Sequence, residues 1–160
     1  MSLSQKIAAE LDDLVNTSAS PRCVGVEEGP HKMEFAVARA TSVGIECTGL
    51  NFQVLDREPM ALDDLKAWGE RVVKKVTYLL EPLAMHEADA QSNEVVLRSK
   101  TPSAKHERRS YYEAKLKGSG TFEFDRVTFH EHDKKRETLP CQFTNEVIER
   151  LVDDLVTTAP

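Results

Sequence analysis

The stretch RSYYEAKLKGSGTFEFDRVTF, residues 109–129, decides the fold. Apolar and polar residues alternate with a period of two in both of its halves, and Gly118-Ser119-Gly120 separates the halves. This pattern predicts an antiparallel β-hairpin with strands over 109–117 and 121–129. One face of the first strand carries Tyr112, Ala114 and Leu116 and is expected to be buried. The opposite face is expected to be in water and carries Arg109, Tyr111, Glu113, Lys115 and Lys117.

The same two periodicities assign the other elements. Period-two segments predict three strands between 23 and 56 and a second hairpin over 83–90 and 94–99. Apolar residues spaced by 3.6 positions predict three helices, of which the middle one is the longest; they cover 5–16, 62–80 and 145–155. The charged residues 130–138 are predicted to form a loop.

Three local signals refine this assignment. Ser4 and Thr144 are the predicted N-caps of the first and last helices, because a side-chain oxygen there satisfies free backbone N–H groups. The parity of the apolar positions in the third strand changes at Gly49. A change of parity within one strand predicts a β-bulge.

The resulting order is helix, three strands, helix, four strands and helix. This order predicts the α+β class. We expect an antiparallel sheet of about six to seven strands, with an N-terminal, a long central and a C-terminal helix packed on one face. Residues 1–160 contain no linker rich in Pro, Gly or Ser and are predicted to form a single domain.

This order of elements resembles that of the small secretion chaperones of type III systems. Those proteins place a helix before a three-stranded stretch, then a long helix, further strands and a terminal helix. The resemblance implies a non-catalytic, chaperone-like module that forms a homodimer and holds a protein partner.

Composition limits the compartment and the class of partner. The 160 residues carry a formal net charge of −6, which disfavours a surface that coats nucleic acid. The three cysteines, at positions 23, 47 and 141, include no closely spaced pair, which favours a reducing, cytoplasmic compartment. No apolar run has the ~20 residues that cross a bilayer, and no signal-peptide pattern begins the chain. We therefore expect no membrane association.

The charge is unevenly distributed. Between positions 98 and 117, seven basic residues stand against two acidic ones, so this segment carries +5 and the rest of the chain −11. The segment predicts a surface for an anionic partner, with Tyr111 available to stack on a base. Nucleic acid is the less favoured partner, and an acidic protein or a small anion the more favoured. The candidate binding residues are Arg98, Lys100, Arg108, Arg109, Tyr111 and Lys115.

Metal binding has one candidate pair. His130 and His132 are two positions apart, so on an extended chain both imidazoles share a face and can reach one ion. The alternative is a solvated loop, which the following run Lys134-Lys135-Arg136 favours because it repels a cation.

No sequence motif for catalysis or for a cofactor is present, and we assign no catalytic residues and no cofactor. An enzyme is the alternative function, with a site assembled from distant residues such as His86, His130 and Glu123. Cys141 precedes the last helix, where a thiolate is stabilised, but a buried structural cysteine is favoured. The acidic pairs at 12–13, 63–64 and 153–154 are interpreted as helix supports or solvated faces.

Overall fold

The computed structural model describes residues 1–18 and 21–160. Within them the chain forms three helices, which are α1 (Leu3–Thr17), α2 (Leu62–Lys75) and α3 (Asn145–Thr158). Ten strands complete the fold: β1 (Arg22–Glu28), β2 (His31–Ala40), β3 (Gly44–Val54), β4 (Leu83–Asp89), β5 (Glu94–Ser99), β6 (Ser103–Lys105), β7 (Arg108–Lys117), β8 (Thr121–His130), β9 (Lys135–Leu139) and β10 (Cys141–Thr144).

All ten described strands belong to one sheet. The main path runs β1-β2-β3-β8-β7-β5-β4, with β10 paired to β3, β6 to β7 and β9 to β8. Every one of these pairings is antiparallel. The predicted α+β class and antiparallel sheet are confirmed, but the predicted count of six to seven strands is too low.

Much of the difference lies in residues 130–144. Residues 130–138 do not form the predicted loop: β8 continues to His130, a turn over 131–134 follows, and β9 returns along β8. Four of the five residues of β9 are exposed. A strand whose two faces both meet water shows no apolar alternation, so its sequence resembles a charged loop.

One row of large side chains crosses the sheet and defines its core face. In register order it contains Met33, Phe52, Phe122, Leu116 and Val95, each opposite the next on a neighbouring strand. These residues are buried in one hydrophobic cluster, which also contains buried side chains of all three helices. Each helix packs on a different part of the sheet. Helix α1 contacts β1 and β2, α2 contacts β4 and β5, and α3 contacts β3 and β10.

Two predicted helix boundaries are wrong. Ser2, not Ser4, is the N-cap of α1, and it forms a capping box with Gln5. The central helix ends at Lys75 rather than near residue 80, so it is not the longest. The proline at position 82 disfavours helix in the turn before it. In addition, Tyr78 and Glu81, which follow α2, make hydrogen bonds to α3 and β8, respectively.

Two other predictions are confirmed. Gly49 has φ +64° and lies where β3 has one residue more than β2, between the pairs Glu34–Asn51 and Ala36–Thr48. This geometry is a β-bulge with glycine in the left-handed region. Thr144 is the N-cap of α3, and its hydroxyl accepts a hydrogen bond from the backbone N–H of Val147 at 3.2 Å.

Candidate anion-binding site

Four of the six predicted anion-binding residues line one cavity of about 530 Å³. They are Arg98, Lys100, Arg109 and Tyr111. The other two, Arg108 and Lys115, do not line it. We call this space the basic cavity; its remaining lining residues are His86, Ser99, Pro102, Phe129 and Arg136.

The register of the sheet explains why these side chains meet. Arg109 on β7 lies opposite Phe129 on β8, and Phe129 lies opposite Arg136 on β9. Residues that face each other across neighbouring strands project from the same face of a sheet. This is the outer face, because the alternate residues Tyr112 and Ala114 belong to the core cluster.

Arg136 was not among the sequence-predicted residues. It belongs to the segment interpreted as a loop, and only the pairing of β9 with β8 brings it beside Phe129. The run Lys134-Lys135-Arg136 was the available signal, since it raises the positive charge near the end of the hairpin.

Glu113 corrects the expectation that the whole outer face of β7 meets water. Its side chain is only 4% exposed and accepts hydrogen bonds from Arg98 Nε at 2.7 Å and from Nη2 of Arg136. Burial alone would raise the pKa of Glu113, but the hydrogen bonds from Arg136 and Arg98 outweigh it and the pKa is lowered. Glu113 is therefore a buried carboxylate that positions two arginines of the cavity.

Aromatic rings hold two of the guanidinium groups. The Arg98 guanidinium carbon lies 5.2 Å from the Tyr111 ring centre, and that of Arg109 lies 5.6 Å from the Phe129 ring centre. Arg109 also pairs through Nε with Glu131 at 2.9 Å. Both arginines thus meet their carboxylates through Nε, and those ion pairs leave the forked Nη ends for another partner.

The lining of the basic cavity keeps a positive surplus. Four cationic side chains line it, and two carboxylates, Glu113 and Glu131, form ion pairs with three of them. The surplus is confined to this end of β7. At the other end Lys117 pairs with Glu123 at 3.0 Å, and Lys115 lies opposite Glu123 in the register.

The two predicted metal ligands, His130 and His132, do not line the basic cavity. His130 Nε2 lies 3.1 Å from a carboxylate oxygen of Glu137, and His132 is exposed in the following turn. No cluster of three or more His, Cys, Asp or Glu residues suited to a metal ion occurs in residues 1–18 and 21–160.

The basic cavity does not bring together the residues of the enzyme alternative. His86 lines the basic cavity, whereas Glu123 and His130 do not. Cys141 is buried, and burial, with a smaller contribution from Asp125, raises its pKa to about 12. A thiol with that pKa is not activated as a nucleophile, so the structure supports the structural interpretation of Cys141.

Of the acidic pairs, Asp63 and Asp64 lie in the first turn of α2, where carboxylates favour the positive end of the helix dipole. Asp154 is buried and accepts a hydrogen bond from the Tyr78 hydroxyl at 2.7 Å. That bond links the segment after α2 to α3. Asp154 is thus a buried packing contact rather than the solvated face that was predicted.

No described helix combines the length and apolar character needed to cross a membrane. Comparison with protein-family models, with curated proteins and with solved structures finds no match to this chain.

Proposed function

We propose that this protein is a non-catalytic binding domain and that the basic cavity binds a compact anionic group. The observation that carries the proposal is the convergence of Arg98, Lys100, Arg109 and Arg136 on one space with only two carboxylates paired to them. Guanidinium forks are suited to oxyanions because they donate two parallel hydrogen bonds.

A compact anion fits better than a long polyanion. A nucleic-acid strand requires a continuous basic track along the protein. Along β7 that track stops at Glu113. Of the next two cations, Lys117 pairs with Glu123 and Lys115 lies opposite it. The net charge of −6 for the whole chain adds repulsion away from the cavity.

The experiment is a titration of the full chain with inorganic phosphate, sulfate and citrate at low salt, followed by NMR chemical shifts. We expect saturable shifts at residues of the basic cavity. Arg109→Ala should weaken binding by at least about tenfold, because it removes a fork whose own partner, Glu131, is exposed.

Arg108→Ala is the matched control, since it removes the same charge from the neighbouring position outside the cavity. It should change the affinity by about twofold or less, because exposed charges are screened. Absence of saturable shifts with all three anions, or equal losses in both variants, would overturn the proposal.

A protein partner is the second candidate, in line with the chaperone-like element order. The supporting observation is that β1 and β4 are the open ends of the main strand path within the described residues. Open edges can add a strand from another chain. The predicted homodimer is tested by light scattering, where a mass near 36 kDa, about twice that of one chain, supports it and 18.0 kDa contradicts it.

A further inference from the structure

We infer that the anion recognised by the basic cavity is the dianion of a phosphate monoester carried by a small organic molecule. This inference rests on the proposed function. It goes further because it selects one class of anion over carboxylates, sulfate esters and the phosphodiesters of nucleic acid.

The first argument is charge. Four cations line the cavity and two carboxylates pair with them, which leaves a surplus of two positive charges among these six side chains. A phosphate monoester has a second pKa of about 6 and carries two negative charges above it. A carboxylate, a sulfate ester and a phosphodiester each carry one, so only the monoester matches the surplus with a single group.

The second argument is the direction of approach. The cations come from different elements: Arg98 from β5, Arg109 from β7 and Arg136 from β9, with Lys100 directly after β5. Donors that reach one cavity from several elements suit a terminal group with three free oxygens. A phosphodiester offers two free oxygens and must continue as a chain on both sides.

The third argument is the rest of the lining. Tyr111, Phe129 and Pro102 contribute apolar surface to the same cavity. Its volume of about 530 Å³ lies within the range of small-molecule sites and exceeds what a phosphate group alone needs. The phosphate is therefore expected to carry an organic group that contacts these side chains.

Phenyl phosphate and phenyl sulfate form the decisive pair of probes, because they share the aryl group and differ by one charge at pH 7.5. Calorimetric titration of the full chain at low salt should give an affinity at least about tenfold higher for phenyl phosphate. Phenyl phosphate should also bind more tightly than inorganic phosphate, because its aryl group contacts the apolar lining.

Arg109→Lys keeps the charge and removes the fork, so it should lower the affinity for phenyl phosphate by at least about fivefold. Arg108→Lys is the control and should leave it unchanged. Equal or tighter binding of phenyl sulfate or benzoate would overturn this inference while leaving the proposed binding of a compact anion intact. Equal or tighter binding of a short oligothymidylate would contradict both. Failure of every anion to bind would overturn both.

Discussion

Arg126 holds Glu81 through two parallel hydrogen bonds, from Nη1 to Oε1 at 2.5 Å and from Nη2 to Oε2 at 3.0 Å. Glu81 is 5% exposed and lies in the segment between α2 and β4. The hydroxyls of Ser99 and Ser103 donate to the same carboxylate at 2.8 Å and 2.7 Å. Four hydrogen bonds thus fix a segment without regular structure onto the sheet, and Ser99 also lines the basic cavity.

We predict that Arg126→Met destabilises the protein by about 3–5 kcal/mol, because it leaves the Glu81 carboxylate buried without its countercharge. The measurement is urea unfolding at pH 7. Arg22→Ala is the control: Arg22 pairs with Glu10 and Asp13 at the exposed surface, where ion pairs contribute ~0–1 kcal/mol. A loss for Arg126→Met no larger than that for Arg22→Ala would contradict a structural role for the Glu81 pair.

The elements with an apolar core face were predictable from sequence. Residues 109–129 alternate because one side of each strand packs on the core, and the bulge at Gly49 appeared as a change of parity for the same reason. The strand β9 was not predictable, because its pairing with β8 depends on backbone hydrogen bonds and on a turn rather than on burial. The end of α2 at Lys75 was not predictable from local sequence, because the tertiary hydrogen bonds of Tyr78 and Glu81 in the following segment leave no local pattern.

The candidate site was predictable only in part. The charge asymmetry of the segment 98–117 indicated Arg98, Lys100, Arg109 and Tyr111, which the structure brings together. The contributions of Arg136 and Glu113 depend on strand register across β5, β7, β8 and β9, and local sequence does not contain that information.

The bulge glycine offers a second stability test. Gly49 has φ +64°, a conformation that costs other residues roughly 1–2 kcal/mol, and an added Cβ there meets nothing within 4 Å. Gly49→Ala should therefore lose about 1–2 kcal/mol through backbone strain alone, in thermal or urea unfolding. Gly49→Asn should recover part of that loss, because asparagine tolerates the left-handed region.

Gly25→Ala is the control for the bulge. Its added Cβ would make an ordinary contact of 3.6 Å with Glu34 Cγ, and no positive φ is required there. We expect a change within about 0.5 kcal/mol, as at other positions without strain or lost packing. Equal losses at Gly25 and Gly49 would show that the bulge conformation is not the source of the cost.

Acid should destabilise the protein partly through Glu113. Its folded-state pKa lies below that of an unfolded Glu, about 4.3, so below neutrality the unfolded chain takes up protons first. The stabilisation is present above the unfolded pKa and is lost as the pH falls through the folded one. In Glu113→Gln the free energy of unfolding should fall less between about pH 5 and pH 3. An unchanged slope would contradict the contribution of Glu113.

Asp125 should have the opposite effect from Glu113 on the pH dependence of the free energy of unfolding. Burial raises the pKa of Asp125, so its ionised form costs stability and this cost disappears as the carboxyl takes up a proton in acid. Asp125→Asn removes that relief. Its stability should therefore fall more steeply than that of the wild type over the same pH range, and a shallower fall would contradict the raised pKa.

The cysteines should differ sharply in reactivity towards an aromatic disulfide reagent at pH 8. Cys23 is exposed, whereas Cys47 and Cys141 are buried opposite each other on β3 and β10. With a pKa of about 12, Cys141 is ionised in roughly one molecule in ten thousand at that pH. Burial, with a smaller contribution from Cys141, also raises the pKa of Cys47. Native protein should release one equivalent of thiolate quickly and all three after unfolding. Cys23→Ser should abolish the fast phase, and rapid labelling of that variant would show that Cys47 or Cys141 is accessible and activated.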